Sequence, residues 1–185
     1  MKEILQNYIP YNSQEAHDKQ IMLKKLEEKD ILTRENETGH FSVSAWIVNR
    51  EKTKVLMCYH LIYQSWSWLG GHLDGDDQIS KVILKEIREE SGLKDLKMLD
   101  DCFSVEILTV QGHYKAGQYV SSHLHYNITC LIEACEDEKL IVNEKENSQL
   151  QWFTFDELKK RVKEEWMLKH IYTKLNQKFK EKFYV

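Results

Sequence analysis

The chain has 185 residues and carries 26 Lys and Arg against 30 Asp and Glu, a formal net charge of −4, which points to one folded domain and away from a protein held on nucleic acid by bulk charge. Its 42% hydrophobic and 30% charged residues are too apolar for a disordered chain, and the lack of any apolar run of about 18 residues argues against a membrane-spanning helix. Met1 to Tyr8 lacks the apolar core of a secretory signal, and Cys58, Cys102, Cys130 and Cys135 are scattered without a C-x-x-C pair, so a cytoplasmic protein with reduced, buried thiols is expected.

Pro10, the single proline, marks a short extended lead-in. A helix is expected over 13–30, capped by Asn12 or Ser13, with Ile21, Leu23 and Leu26 on a partial apolar stripe. The polar stretch 31–40 reads as a connection. Phe41 to Val48 is β-prone, Asn49 to Lys52 is a turn and Lys54 to His60 is a second strand, so 41–60 reads as a hairpin. Residues 78–91 are expected to be helical. Residues 98–110 and 118–134 read as long strands, with a turn over 111–118 between them. Gln151 to Thr154 reads as a short strand, and Asp156 to Gln177 as a helix with Leu158, Val162, Trp166 and Ile171 near helical spacing. No repeat or linker interrupts this order, so the fold class is α+β.

Chemistry concentrates in one segment. Of seven glycines, Gly70, Gly71, Gly75 and Gly92 surround the 78–91 helix, a sign of tight backbone geometry there. On that helix Ile79, Val82, Ile83 and Ile87 make a buried stripe. Glu86, Glu89 and Glu90 fall at i, i+3 and i+4 on another face. Like charges at that spacing repel, and the C-terminal end of a helix disfavours anions. A divalent cation such as Mg²⁺ or Mn²⁺ relieves both costs, because clustered carboxylate oxygens suit it. A solvated acidic face, countered by Lys81, Lys85 and Arg88, is the plain alternative.

This segment resembles the Nudix box of the Nudix hydrolase family: Gly, five residues, Glu, seven residues, Arg-Glu, an aliphatic residue, any residue, Glu-Glu, any residue, Gly, aliphatic. Gly71 is followed at those spacings by Asp77, Lys85-Glu86, Ile87, Arg88, Glu89-Glu90, Ser91, Gly92 and Leu93. Two positions depart from the pattern. Asp77 stands for Glu and is one methylene short, and Lys85 stands for Arg and lacks its bidentate fork.

The resemblance implies a Nudix-type α/β/α sandwich with a mixed β-sheet over 39–185, preceded by an N-terminal helical extension over 1–38. That extension can cover the active site or build a homodimer interface. The implied activity is Mg²⁺-dependent hydrolysis (Mn²⁺ substituting) of a diphosphate bond in a nucleoside diphosphate linked to another group, a pyrophosphatase acting on a small nucleotide rather than on nucleic acid or membrane. Glu86, Glu89 and Glu90, with the Gly71 carbonyl, are the implied metal ligands. Glu89 or Glu146, the latter six residues before Trp152, would take the proton from the attacking water, and Lys85 would orient a box carboxylate.

Further residues qualify as substrate contacts. His123 and His125 share one side of a strand and can line the pocket or bind metal. Trp66 and Trp68 share a strand side near the box and can stack on a base or pack in the core. His72 can touch metal or phosphate. Two other functions stay open. Asp77 and Lys85 motivate a non-catalytic nucleotide-binding sensor with a degenerate box. Gly71-His72 matches the Gly-His at the box entrance of isopentenyl diphosphate isomerases, which carry a catalytic cysteine before it; here Gly70 stands in that place.

Overall fold

The computed structural model describes residues 1–115, 117–144 and 147–184. Among the described residues, fifteen elements follow in order. Two helices, α1 (Lys2–Asn7) and α2 (Ser13–Lys25), precede the strands β1 (Gly39–Asn49), β2 (Lys54–His60), β3 (Ser65–Ser67) and β4 (Leu69–His72). Helix α3 (Ile79–Ser91) leads to β5 (Leu96–Val110), β6 (His113–Lys115), β7 (Gln118–Val120), β8 (His123–Ala134) and β9 (Asn147–Thr154). The chain closes with α4 (Phe155–Arg161), a π-helical turn over Met167–Tyr172 and α5 (Thr173–Phe183). The main sheet runs β3-β2-β1-β8-β5, with β4 paired to β1 and β9 to β2, and β6-β7 is a separate hairpin. No helix among the described residues is long and apolar enough to cross a membrane.

The chain divides into two compact units. The first comprises Met1–Ser44, Gly70–Lys85 and Asp100–Cys130. Its apolar centre includes Leu5, Met22, Phe41, Val43, Ile83, Val105 and Ile128, all buried. Asn12 caps α2 by accepting a bond from the Glu15 amide (2.9 Å). Glu15 is wholly buried at 0% exposure. It accepts from the Tyr8 hydroxyl (2.5 Å), the Tyr11 amide (2.7 Å) and the Ser104 hydroxyl on β5 (2.7 Å). Gln14 donates to the Val105 carbonyl (3.3 Å), and Asp18 accepts from the Ile107 amide (3.1 Å). The N-terminal helices are thereby tied to β5 by polar contacts as well as by Leu5 and Met22.

Helix α2 stops at Lys25 rather than running to residue 30. Its last amides bond three residues back, Glu27 to Lys24 and Glu28 to Lys25, and Asp30 turns the chain at φ 57°. Helix α1 forms where only an extended lead-in to Pro10 was expected; six residues are too few to display a period, and buried Leu5 holds them.

The second unit comprises Ala45–Leu69, Glu86–Leu99 and Leu131–Val185. The expected hairpin is present, with Val48 opposite Val55. Asn49 closes its turn, its side-chain oxygen accepting from the Thr53 (2.8 Å) and Lys54 (2.9 Å) amides. Strand β2 pairs antiparallel with β3 and with the whole of β9, which is longer than the 151–154 strand read from sequence. The single helix expected over 156–177 is instead three pieces. A Thr154–Glu157 capping box starts α4, and Val162 is extended (φ −73°, ψ 125°). The Lys163 amide then bonds the Ser65 hydroxyl (2.9 Å), a tertiary contact that no local period encodes. In the π-helical turn the Thr173 hydroxyl donates to the Leu168 carbonyl five residues back (2.7 Å). Tyr172, fully buried, packs at 5.4 Å from both Trp46 and Trp68.

Candidate functional site

In the first unit, the entry to α3 is built from β4 and a turn. A Cβ on Gly70 would stand 2.4 Å from the Val43 carbonyl oxygen and 2.8 Å from Ser44 Cα, so only glycine lets β4 lie this close to β1. Gly71 and His72 are half-buried. The turn beyond them is pinned by a fork from Arg34 onto both oxygens of Asp74 (2.9 and 2.7 Å) and by the Gly75 amide on the Leu32 carbonyl (3.0 Å). Asp76 accepts from the Gln78 amide (3.0 Å) and pairs with Lys81 (2.7 Å). The Lys81 contact, then the Gln78 amide, hold the Asp76 carboxyl below its ordinary range. Asp77 and Lys85 are both exposed.

The carboxylates follow on α3. Its apolar stripe is buried as expected at Ile79, Val82, Ile83 and Ile87. Glu86 is half-buried, Glu89 is exposed and Glu90 is buried at 5% exposure. The helix ends where the Ser91 hydroxyl turns back on the Ile87 carbonyl (2.6 Å) and Gly92 adopts φ +74°; a Cβ there would meet Ile141 at 3.0 Å. The three carboxylates fall at i, i+3 and i+4 and range from exposed Glu89 to buried Glu90. Carboxylate oxygen is the donor type that a hard divalent cation takes.

A second set of ligating groups lies within the first unit. His72 on β4, His40 on β1 and His123 and His125 on β8 come from three neighbouring strands. His40 is 5.0 Å, ring centre to ring centre, from each of the other three, and His125 is 5.0 Å from both His72 and His123. Burial, then the neighbouring imidazoles, pushes His125 down to about 2 and His72 to about 3. Burial lowers His40 as well. The rings of His40, His72 and His125 are therefore neutral near pH 7.

The strand alternation at His123 and His125 was visible in the sequence. His40 was not singled out, since nothing local distinguishes it from the other residues opening β1. Trp66 and Trp68 lie in the second unit at 8% and 9% exposure. Trp66 stands edge-on to Phe153 (4.8 Å) and Trp68 edge-on to Tyr172 (5.4 Å), so both pack in the core. Glu146 lies outside the described residues.

A family model for the NUDIX domain matches residues 38–175. Among solved structures, the chain is similar to a hydrolase of the NUDIX family from Clostridium perfringens, at 20% identity and TM-score 0.53, covering 77% of this chain and 97% of that one. It is similar to the E. coli dihydroneopterin triphosphate pyrophosphohydrolase, at 14% identity and TM-score 0.55, covering 76% and 92%. It is also similar to a C. elegans Ap4A hydrolase in a binary complex, at 16% identity and TM-score 0.52, covering 76% and 95%. Among curated proteins, none matches the chain. The expected fold is present: a mixed sheet with helices, preceded by a helical N-terminal segment.

Proposed function

The chain belongs to the NUDIX family, and from that premise we propose that it is a Mg²⁺-dependent hydrolase that cleaves a diphosphate bond in a small nucleotide-type substrate. The observation that carries this reading is the face of Glu86, Glu89 and Glu90 on α3, set at box spacing between Gly71 and Leu93. Glu86, Glu89 and Glu90 would hold the ion. When bound, it neutralises phosphate charge and lowers the pKa of the attacking water.

The chain's own groups do the rest. A diphosphate repels an approaching hydroxide, so the reaction depends on positioning and on charge compensation. Exposed Glu89 takes the proton from the attacking water, with Glu146 as the alternative base. Lys85, beside Glu86 on α3, orients a box carboxylate through a point charge rather than a fork. Water adds across the P–O–P bridge: its oxygen goes to one phosphorus, and the other phosphate leaves with the bridging oxygen.

The test is a phosphate-release screen of the purified chain against nucleoside triphosphates, nucleotide sugars, dinucleoside polyphosphates and coenzymes, with Mg²⁺, Mn²⁺ and EDTA arms. Turnover of one class that EDTA abolishes is expected. Nucleotide-dependent thermal stabilisation with no turnover of any member overturns the hydrolase and leaves the sensor, with Asp77 and Lys85 as its cause.

A further inference from the structure

We propose that His40, His123 and His125 form a nitrogen-donor site for one divalent transition-metal ion of the zinc type, distinct in donor chemistry from the carboxylates of α3. One ligating atom from each lies within 4.8 Å of the other two. The site lies wholly in the first unit, and its argument does not rest on the diphosphate reading.

The hydrogen bonds assign the lone pairs. His40 Nδ1 is 3.2 Å from the Asn36 carbonyl oxygen. A carbonyl only accepts, so Nδ1 carries the hydrogen and Nε2 carries the lone pair. That Nε2 is buried with no hydrogen-bond partner among the described residues. His123 repeats the arrangement, its Nδ1 donating to the Ser121 carbonyl (2.8 Å), so that its Nε2 carries the lone pair and here accepts from His125 Nε2. An N–H of one ring on a backbone carbonyl, with the opposite nitrogen presented, is how metal-ligating histidines are commonly oriented.

Spacing agrees. His123 Nε2 is 3.2 Å from His125 Nε2. Two nitrogens bound tetrahedrally to zinc at about 2.05 Å are about 3.4 Å apart. Those two atoms need scarcely move; His125 need only carry its hydrogen on Nδ1.

The donor set also selects the ion. Imidazole nitrogen suits zinc, cobalt or nickel, whereas Mg²⁺ takes oxygen. Three protein ligands leave a fourth position for water or an anionic oxygen. His72, against the rings of His40 and His125, packs the ligands in place.

The experiment is calorimetric titration of the chelator-stripped full chain with Zn²⁺ in excess Mg²⁺, alongside Co²⁺ read by visible absorption. One equivalent of Zn²⁺ is expected to bind, with an intense four-coordinate Co²⁺ spectrum. Both should survive in a chain carrying Glu86→Gln, Glu89→Gln and Glu90→Gln, which removes the carboxylate site. His123→Gln, at a half-buried position, should weaken Zn²⁺ by at least about 100-fold, as should His125→Gln. Equal Zn²⁺ affinity in wild type and His123→Gln overturns the proposal. So does loss of binding in the triple glutamate variant, or a weak six-coordinate Co²⁺ spectrum in the wild-type chain. That last readout needs no variant to fold.

Discussion

Gly70 lies so close to Val43 that a Cβ on it would stand 2.4 Å from the Val43 carbonyl oxygen. The obstacle is backbone on a paired strand, which cannot swing aside as a side-chain tip can. Gly70→Ala should therefore push β4 away from β1 and destabilise the fold by about 1–3 kcal/mol, the usual cost of overpacking. Urea denaturation measures it. An unchanged midpoint would show that β4 tolerates displacement and that this glycine is not sterically required.

Glu15 makes a second commitment of the same unit. It is fully buried and takes three hydrogen bonds, from Tyr8, Tyr11 and Ser104. Deleting a buried acceptor leaves its donors without that partner, which costs more than the net worth of the bonds themselves. Glu15→Ala should cost about 3 kcal/mol and make the chain around Tyr8 and Tyr11 susceptible to limited proteolysis. If Glu15→Ala melts like wild type and resists protease equally, the N-terminal helices are held without it, by Leu5, Met22 and the Gln14 and Asp18 contacts to β5.

How much of this was legible in sequence depended on the range of the contacts. The apolar stripe of α3 obeys a local period and is buried as read, and the glycines beside the helix stand at tight backbone positions as read. The shared strand side of His123 and His125 was legible too. The partnership of His40 and His72 with them depends on β1 lying between β4 and β8, which is a matter of strand order across the chain. The break after α4 escaped for a related reason: Leu158 and Val162 keep helical spacing, yet the next amide is taken by Ser65, 98 residues away. Trp66 and Trp68 share a strand side in the sequence, but only the positions of Phe153 and Tyr172 show that both rings pack in the core.

Alkaline pH tests half-buried Tyr8 and fully buried Tyr172. Burial, and for Tyr8 the neighbouring Glu15 carboxylate, raises the hydroxyls of Tyr8 and Tyr172 far above the ordinary tyrosine value. A folded-state pKa above the unfolded one means that the folded chain holds its proton while the unfolded chain releases it. Their contribution is complete below pH 10 and is lost as pH rises beyond it. Each should steepen the fall of stability above pH 10 by about 1.4 kcal/mol per pH unit. Denaturant midpoints between pH 8 and 11, with tyrosinate absorbance, check this. Tyr8→Phe should make the slope shallower by one such increment; an identical slope would mean that Tyr8 titrates while folded.

Glu89 and Glu90 sit side by side on α3 in opposite surroundings, one exposed and one at 5% exposure, and the proposed cation reading separates their variants. Glu89→Gln removes an exposed carboxylate assigned to proton transfer, so turnover should fall at least about 100-fold while the metal-free melting temperature stays near wild type. Glu90→Gln neutralises a buried charge. Its melting temperature without metal is the baseline against which the Mg²⁺ effect is read. With Mg²⁺ it should lose most of the ion-dependent rise in melting temperature that wild type shows, since that rise measures binding to the folded state alone. Melting curves of wild type and both variants, with EDTA and with Mg²⁺, decide the matter. An undiminished Mg²⁺ shift in Glu90→Gln would remove Glu90 from the ligand set. Undiminished turnover in Glu89→Gln would transfer the proton to another base, for which Glu146→Gln is the next variant to assay.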